Sequence, residues 1–254
     1  MVSSLVLAAL ALGYLGLLDP LGHYLGITFT LLIFGLPSLY LIIRKPLNAK
    51  KGVIAGLLFG ALFGFPFDFV ATYAGAWVIN EKYILFPRLI LGVVHLDELV
   101  WFFFWVLFAV VFYEYFVEND RGWRISHHVR TAIAFGVLSG LAVVAAFFIK
   151  PEILRPQYAY LLLGSAALLP FLFATVRRPR LLLKFAAITP FFFLVYLGFD
   201  LLALYKGWWS FSGNYIGGIS AFGHFLPLEE LVIWIFLGSG ILTSYHELFI
   251  DDGK

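Results

Sequence analysis

Apolar segments close to twenty residues long follow one another along almost the whole chain. A helix of about 20 residues, rising 1.5 Å per residue, crosses the hydrocarbon layer of a bilayer, so each segment predicts a membrane-spanning helix. Eight segments of this kind lie at 2–18, 24–43, 52–78, 93–117, 131–149, 158–176, 185–205 and 226–250. The sequence therefore predicts an all-α integral membrane protein with about eight transmembrane helices.

The composition excludes most other classes of protein. Only 13% of the residues are charged, against roughly 25% in a soluble domain, so the chain could not cover its own surface with polar groups. It has no cysteine, which excludes a disulfide scaffold. A formal net charge of +2 does not indicate nucleic acid as a partner, and membrane lipid is the expected surrounding.

The basic residues predict the orientation in the membrane. The odd-numbered loops hold five of them, and the even-numbered loops hold eleven: Arg44, Lys45, Lys50, Lys51, Arg121, Arg124, Arg130, Arg177, Arg178, Arg180 and Lys184. Cytoplasmic loops carry the excess of Lys and Arg. We therefore expect a multi-pass protein of the cell membrane with both termini and the even loops in the cytoplasm.

The two halves of the chain repeat. A shift of 132 residues aligns 67–104 with 199–236 without a gap, and 13 of the 38 positions are identical. The most polar stretch separates the halves, which predicts a first repeat at 1–120, a cytoplasmic linker at 121–130 and a second repeat at 131–254. Four spans per half make the two repeats parallel in orientation.

Six acidic residues occur in two matching sets within these repeats. Asp68 and Asp200 lie deep in the third and seventh spans, and the other four begin the fourth and eighth spans: Asp97, Glu98, Glu229 and Glu230. An ionisable group inside hydrocarbon costs roughly 2.5–3.5 kcal/mol on insertion scales, so each is a candidate functional residue. Antiparallel neighbouring helices would bring each Asp close to its pair.

Carboxyl groups placed in this way suit acid catalysis. Removal from water favours the neutral form of a carboxyl group, and a second carboxyl group nearby adds to the effect. The result is a proton donor, as general acid catalysis requires. The alternative is that the four acids at the span starts only cap their helices, where negative charge complements the helix dipole.

Aromatic residues accompany the acids at matching distances. The candidates for substrate binding are Trp77, Tyr83, Trp101, Trp105, Trp209, Tyr215 and Trp234. An aromatic face attracts cations, so acids beside tryptophans suit a reaction that makes a carbocation from an apolar substrate. The alternative is the ordinary enrichment of Trp and Tyr at membrane interfaces.

Motifs for metals and cofactors are missing from the sequence. The six histidines form no H-x-x-x-H pattern, although His95 and His224 lie near the acidic pairs, and there is no D-D-x-x-D run. No G-x-G-x-x-G motif follows a strand, so no dinucleotide site is expected. The sequence predicts chemistry with no metal and no cofactor.

The acidic segments resemble those of the membrane lycopene cyclase domain family, here in a fused tandem form. The resemblance rests on Leu226-Pro227-Leu228-Glu229-Glu230-Leu231, which is similar to the family's Pro-x-Glu-Glu motif, and on the preceding Asp200, Trp209 and Tyr215. The first half has the same residue pattern with three differences. His95 replaces the Pro of the motif, and Asp97 replaces its first Glu. The position of Arg88 is occupied by Ser220 in the second half. These departures predict that one half supplies the acid and the other mainly forms the wall.

The resemblance implies a function that agrees with the acids and aromatics. It implies a lycopene β-cyclase, an intramolecular lyase or isomerase of carotenoid biosynthesis, which closes the ψ end groups of lycopene into the β-rings of β-carotene without redox chemistry. Glu229 and Glu230, then Glu98 and Asp97, would be the acids, and Asp68 and Asp200 would tune or relay protons. Lycopene or a related carotenoid is the implied substrate, and the resemblance is also compatible with binding to other carotenoid-pathway enzymes.

Other functions remain open from the sequence. A carotenoid hydratase or a cyclase of C50 carotenoids would use the same cation. A proton-coupled transporter would also combine tandem repeats with intramembrane carboxyl groups. A transport path needs polar side chains, however, and the chain has Asn only at 48, 80, 119 and 214 and a single Gln, Gln157.

Overall fold

A computed structural model describes residues 1–86, 89–118 and 125–251, and most of them are helical. Eight helical segments follow one another: α1 Val2–Tyr14, α2 Asp19–Arg44, α3 Leu47–Tyr73, α4 Leu96–Glu118, α5 His128–Ile149, α6 Ala159–Arg177, α7 Arg180–Lys206 and α8, which consists of Glu230–Phe236 and Gly238–Ile250. Six of them, α2 to α7, are long and apolar enough to cross a membrane. The predicted all-α, multi-pass character is thus confirmed for the described residues.

The first and last predicted spans differ from the expectation. Helix α1 has 13 residues, about 20 Å of helix, which is short of the hydrocarbon thickness. Helix α8 bends by 50° between its two parts. The described residues therefore contain six helices that are long and apolar enough to cross a membrane, or seven when the bent pair counts as one, and the number eight stays a prediction.

Short strands form in the loops, which the all-α expectation did not include. Three two-stranded antiparallel pairs occur in the described loops: β1 Trp77–Ile79 with β4 Trp209–Phe211, β2 Leu89–Ile90 with β3 Val94–His95, and β5 Gly218–Ala221 with β6 His224–Pro227. The third span was predicted to continue to residue 78. It ends at Tyr73 because Gly75 takes a φ of +71°, a left-handed conformation that glycine adopts without steric cost.

The β1–β4 pair joins equivalent segments of the two halves. Trp77 pairs with Phe211, and Ile79 pairs with Trp209. The 132-residue shift converts one pair into the other, so the pairing has local two-fold symmetry. Each strand follows the C-terminal end of its helix, α3 or α7, so these two helix ends lie close to each other, and the parallel orientation of the repeats stays a prediction. The predicted linker is partly outside the described residues, since 121–124 are not described, and α5 begins within it at His128.

A stripe of glycines brings α3 close to α4. Gly52, Gly56 and Gly60 recur every fourth residue on one face of α3. A methyl group added to Gly56 would lie 2.8 Å from the ring of Phe103, and one added to Gly60 would lie 2.6 Å from the backbone oxygen of Phe102. Small residues at this spacing let membrane helices pack closely, and the stripe sets the distance between the acidic positions of the two helices.

Buried charged residues connect α3 and α4 to α8, at the end of these two helices that lies away from the cavity. The ammonium group of Lys51 lies 3.0 Å from Oε1 of Glu114 and 2.8 Å from Oδ1 of Asp251. Nε2 of His246 lies 2.7 Å from the same oxygen of Glu114. Charges removed from water are tolerated when they are paired and hydrogen-bonded, so this network supports the packing of α8 against the first half.

The glycine stripe can be tested with two Gly→Ala variants. We expect Gly60→Ala to destabilise the protein by about 1–3 kcal/mol, because the added methyl group overpacks the contact with α4. Gly140→Ala is the matched control, since its methyl group would meet Phe65 at an ordinary distance of 3.7 Å. Thermal unfolding of both variants in detergent compares them, and equal midpoints would contradict the close packing.

Candidate active site

A cavity lies between the two halves, next to the β1–β4 pair. Its volume is about 140 Å³. Four carboxyl groups border it, those of Asp97, Glu98, Asp200 and Glu230. The rest of its lining is almost entirely aromatic and aliphatic, with side chains from α2, α3, α4, α6, α7 and α8.

The first half contributes a pair of adjacent carboxyl groups, which we call the first dyad. Asp68 on α3 and Glu98 on α4 lie within hydrogen-bonding reach of each other, and both are buried. An ionised carboxylate can only accept hydrogen bonds, so a hydrogen bond between two carboxyl groups requires at least one proton on the pair. Glu98 borders the cavity, whereas Asp68 lies behind it.

The second half contributes the matching pair, the second dyad. Asp200 on α7 and Glu230 at the start of α8 lie within hydrogen-bonding reach of each other, and both border the cavity. The hydroxyl group of Tyr160 on α6 is hydrogen-bonded to Oε2 of Glu230. Each half therefore places a pair of adjacent carboxyl groups at the same apolar space, and each pair needs at least one proton to form a hydrogen bond between its members.

The first acid of each adjacent pair has a different role. Oδ1 and Oδ2 of Asp97 accept hydrogen bonds from the backbone N–H groups of Leu85 and Phe86, at 3.0 and 2.9 Å. Oε1 of Glu229 accepts one from the N–H group of Ile216 at 2.8 Å. Asp97 still reaches the cavity, but Glu229 does not border it. These two acids hold the preceding loops in place.

Six of the seven predicted aromatic residues border the cavity: Trp77, Tyr83, Trp101, Trp105, Trp209 and Trp234. Trp101 stacks on Trp105 with ring centroids 5.3 Å apart. The edge of one ring meets the face of the other between Trp234 and Phe67, at 4.9 Å. Such offset and edge-on contacts fix the rings and leave aromatic faces along the wall.

Tyr215 is the exception among the predicted aromatic residues. It lies behind the wall, where its ring packs against Tyr160 and its hydroxyl group donates a hydrogen bond to the carbonyl group of Ala76. Burial raises the pKa of Tyr215, so the hydroxyl group keeps its proton. Tyr215 thus links the loops of the two halves and supports Tyr160.

Tyr160 is the site residue that the sequence did not predict. It is buried, borders the cavity and contacts both Glu230 and Trp77. In the sequence it stands at the start of a span, where tyrosine is common at any membrane interface. Only the fold turns it inward, because α6 packs its first turn against α3 and α8.

The described residues of the cavity do not form a cluster of metal ligands. Burial lowers the pKa of His95, so its ring is neutral at pH 7, but its neighbours are carboxyl groups already engaged in hydrogen bonds. Three other carboxyl groups approach within 4.8 Å of one another at the far end of the bundle, Glu118, Glu247 and Asp251. Their oxygens are bound by Lys184, Tyr113 and Lys51.

Comparison with known proteins adds no relative. No protein-family profile, curated protein or solved structure matches the chain.

The loop-holding role of Asp97 is open to a direct test. We expect Asp97→Ala to destabilise the protein by about 2 kcal/mol, because two backbone N–H groups lose a charged acceptor. Asp97→Asn keeps one acceptor oxygen and should lose about half as much. Thermal unfolding in detergent measures both, with Glu152→Ala at an exposed position as the control, and an unchanged midpoint for Asp97→Ala would rule out the role.

Proposed function

We propose that this protein is a lycopene β-cyclase, which closes the ψ end groups of lycopene into β-rings within the membrane by acid catalysis. The observation that carries the proposal is the pair of buried carboxyl dyads that lie at one aromatic cavity between the two halves. The substrate is a hydrocarbon dissolved in the bilayer, and the protein is an intramolecular lyase or isomerase. No metal or cofactor takes part in the proposed reaction.

An apolar polyene fits the lining of the cavity. Apart from the carboxyl groups and the aromatic residues, Thr30 is the one polar side chain among the described lining residues, and its hydroxyl group donates a hydrogen bond to the backbone of Gly26. A polar solute would lose hydrogen bonds with water, and most of the wall offers aromatic faces and aliphatic groups in exchange, which is costly. A hydrocarbon loses nothing, so the lining favours a carotenoid over the solute of a proton-coupled transporter.

The reaction is balanced in protons and needs no electron acceptor. A carboxyl group adds its proton to the terminal double bond and leaves a tertiary carbocation. The electrons of the nearby internal double bond then form the new carbon–carbon bond, which closes a six-membered ring and moves the positive charge to a ring carbon. A carboxylate removes a proton from the neighbouring carbon, and the ring double bond forms. One proton enters and one leaves, so the product is an isomer.

The aromatic wall supports the charged stage of this reaction. Faces of Trp and Tyr stabilise a cation by about 0.5–2 kcal/mol each, and more strongly when water is excluded. Exclusion of water also protects the carbocation from capture. If water reached the carbocation, the protein would be a hydratase, and if the cavity held a longer polyene, it would be a C50 cyclase. Both alternatives use the same carbocation chemistry, and analysis of the products distinguishes them.

The proposal is tested in cells that accumulate lycopene. We expect expression of the protein to shift their pigment from red towards orange-yellow, because steric crowding by the ring methyl groups twists the ring double bonds out of the plane of the conjugated chain. Chromatography of the extracted pigments identifies the rings. Unchanged lycopene in cells with well-inserted protein would refute the cyclase, and hydroxylated end groups would assign a hydratase instead.

The role of the carboxyl groups is tested with an isosteric variant. We expect Glu230→Gln to lower ring formation at least about 100-fold, because an amide cannot supply the proton and general acid–base catalysis contributes about 10²–10⁴-fold. Glu152→Gln, at an exposed position, is the matched control and should keep the wild-type rate. Pigment formed per inserted protein is the measurement, and equal rates for the two variants would exclude the dyad as the acid.

A further inference from the structure

The two dyads occupy equivalent places but receive different hydrogen bonds. In the first dyad the backbone N–H group of His95 donates to Oε2 of Glu98 at 3.4 Å. The hydroxyl group of Thr72 donates to Oδ1 of Asp68 at 3.3 Å and itself accepts the indole N–H group of Trp77 at 3.0 Å. Two donors therefore point at the first dyad, and an N–H group orients one of them.

Both donors are removed from the second dyad by single differences between the halves. The 132-residue shift places Pro227 at the position of His95 and Leu204 at the position of Thr72. Proline has no N–H group, and leucine has no hydroxyl group. The second dyad consequently has neither of these two donors.

A tyrosine takes their place at the second dyad. The hydroxyl group of Tyr160 is hydrogen-bonded to Glu230. The first-half equivalent of α6 is α2, which is described throughout. It places Ile27 and Thr30 on the cavity, and no tyrosine of α2 borders it. The hydroxyl contact is therefore specific to the second half.

The donors at both dyads favour the charged form of the carboxyl group that they contact, but the two sets of donors differ in whether they can also accept a hydrogen bond. An N–H group can only donate, and donation to a carboxyl group favours its charged form. The first dyad is thus suited to carry a negative charge. A tyrosine hydroxyl group can donate or accept, so it holds Glu230 in one position whether or not Glu230 carries a proton. The second dyad is suited to hold a proton and release it.

We propose that the two dyads divide the reaction, with Glu230 as the proton donor and Glu98 as the proton acceptor. The inference rests on the proposed cyclase function and deepens it. Glu98 and Glu230 border the same cavity and are the catalytic residues. Tyr160 and Thr72 are positioning residues, which act through Glu230 and through Asp68.

The division keeps the proton balance of the reaction. Glu230 loses its proton to the terminal double bond, and Glu98 gains the proton that leaves the ring. The first dyad then returns its proton to water at the mouth of the cavity, and the second dyad regains one there. Each new ring therefore carries a single hydrogen atom from solvent, at the carbon that was protonated.

Two isosteric variants separate the roles. The protein is reconstituted in liposomes that contain lycopene and are prepared in D₂O. We expect Glu230→Gln to leave lycopene unchanged, with at least about a 100-fold loss of conversion. We expect Glu98→Gln to consume lycopene but to give fewer β-rings, because the cation loses a proton from another carbon or captures water. Chromatography and mass spectrometry measure conversion, ring type and deuterium content.

The outcomes distinguish this inference from the proposed function. If the wild type forms rings but the two variants behave alike, or with their roles exchanged, the division is wrong and the cyclase stands. If the wild type leaves lycopene unchanged, the cyclase and the division both fall. Partial recovery of β-rings by Glu98→Asp supports the role of a base at this position, and its absence contradicts it.

Positioning variants provide a second test that does not depend on removing a carboxyl group. We expect Thr72→Val to lower the share of β-rings with little change in rate, and Tyr160→Phe to slow conversion about tenfold with the product ratio unchanged. Tyr245→Phe removes a hydroxyl group on α8 that does not border the cavity and is the control. A product change in Tyr160→Phe, or equal effects in all three variants, would overturn the assignment.

Discussion

Carboxyl groups removed from water, and placed next to each other in pairs, are the constraint on which this structure depends. Neither Asp68 nor Asp200 could remain buried as an isolated charge, because the cost of removing it from water is too high. Each lies against a glutamate of the neighbouring helix. The glycine stripe of α3 and the loops held by Asp97 and Glu229 set this geometry, and the aromatic wall keeps the surroundings apolar.

The two halves use one frame for two different environments. The β1–β4 pair and the dyads match under the 132-residue shift, so the cavity has carboxyl groups on both sides. The donors around the dyads do not match, because Pro227 and Leu204 replace residues that donate in the first half. The two dyads therefore have matching positions but different hydrogen-bond donors in one cavity, and this difference is the basis of the acid and base roles that we propose.

Much of the fold could be predicted because apolar length and period are local properties. The predicted span 131–149 corresponds to the helix His128–Ile149, and the predicted span 158–176 corresponds to the helix Ala159–Arg177. Helix ends were less predictable. Gly75 turns the chain from α3 into β1, and the bend between Phe236 and Gly238 depends on packing against the neighbouring helices. The strands escaped prediction because each is four residues or fewer and forms only when its partner loop is nearby.

The sequence by itself determined the membrane character, the repeat and the acidic and aromatic residue types, because each of these follows from composition or from spacing along the chain. The tertiary structure decided which acidic side chains border the cavity and which bind a loop. Glu98 and Asp97 are neighbours in sequence, yet one joins Asp68 and the other binds the backbone of a loop. Tyr160 entered the site only through the packing of α6 against α3 and α8. Hydrogen bonds between distant segments depend on which helices are in contact, and these contacts cannot be predicted from a single sequence.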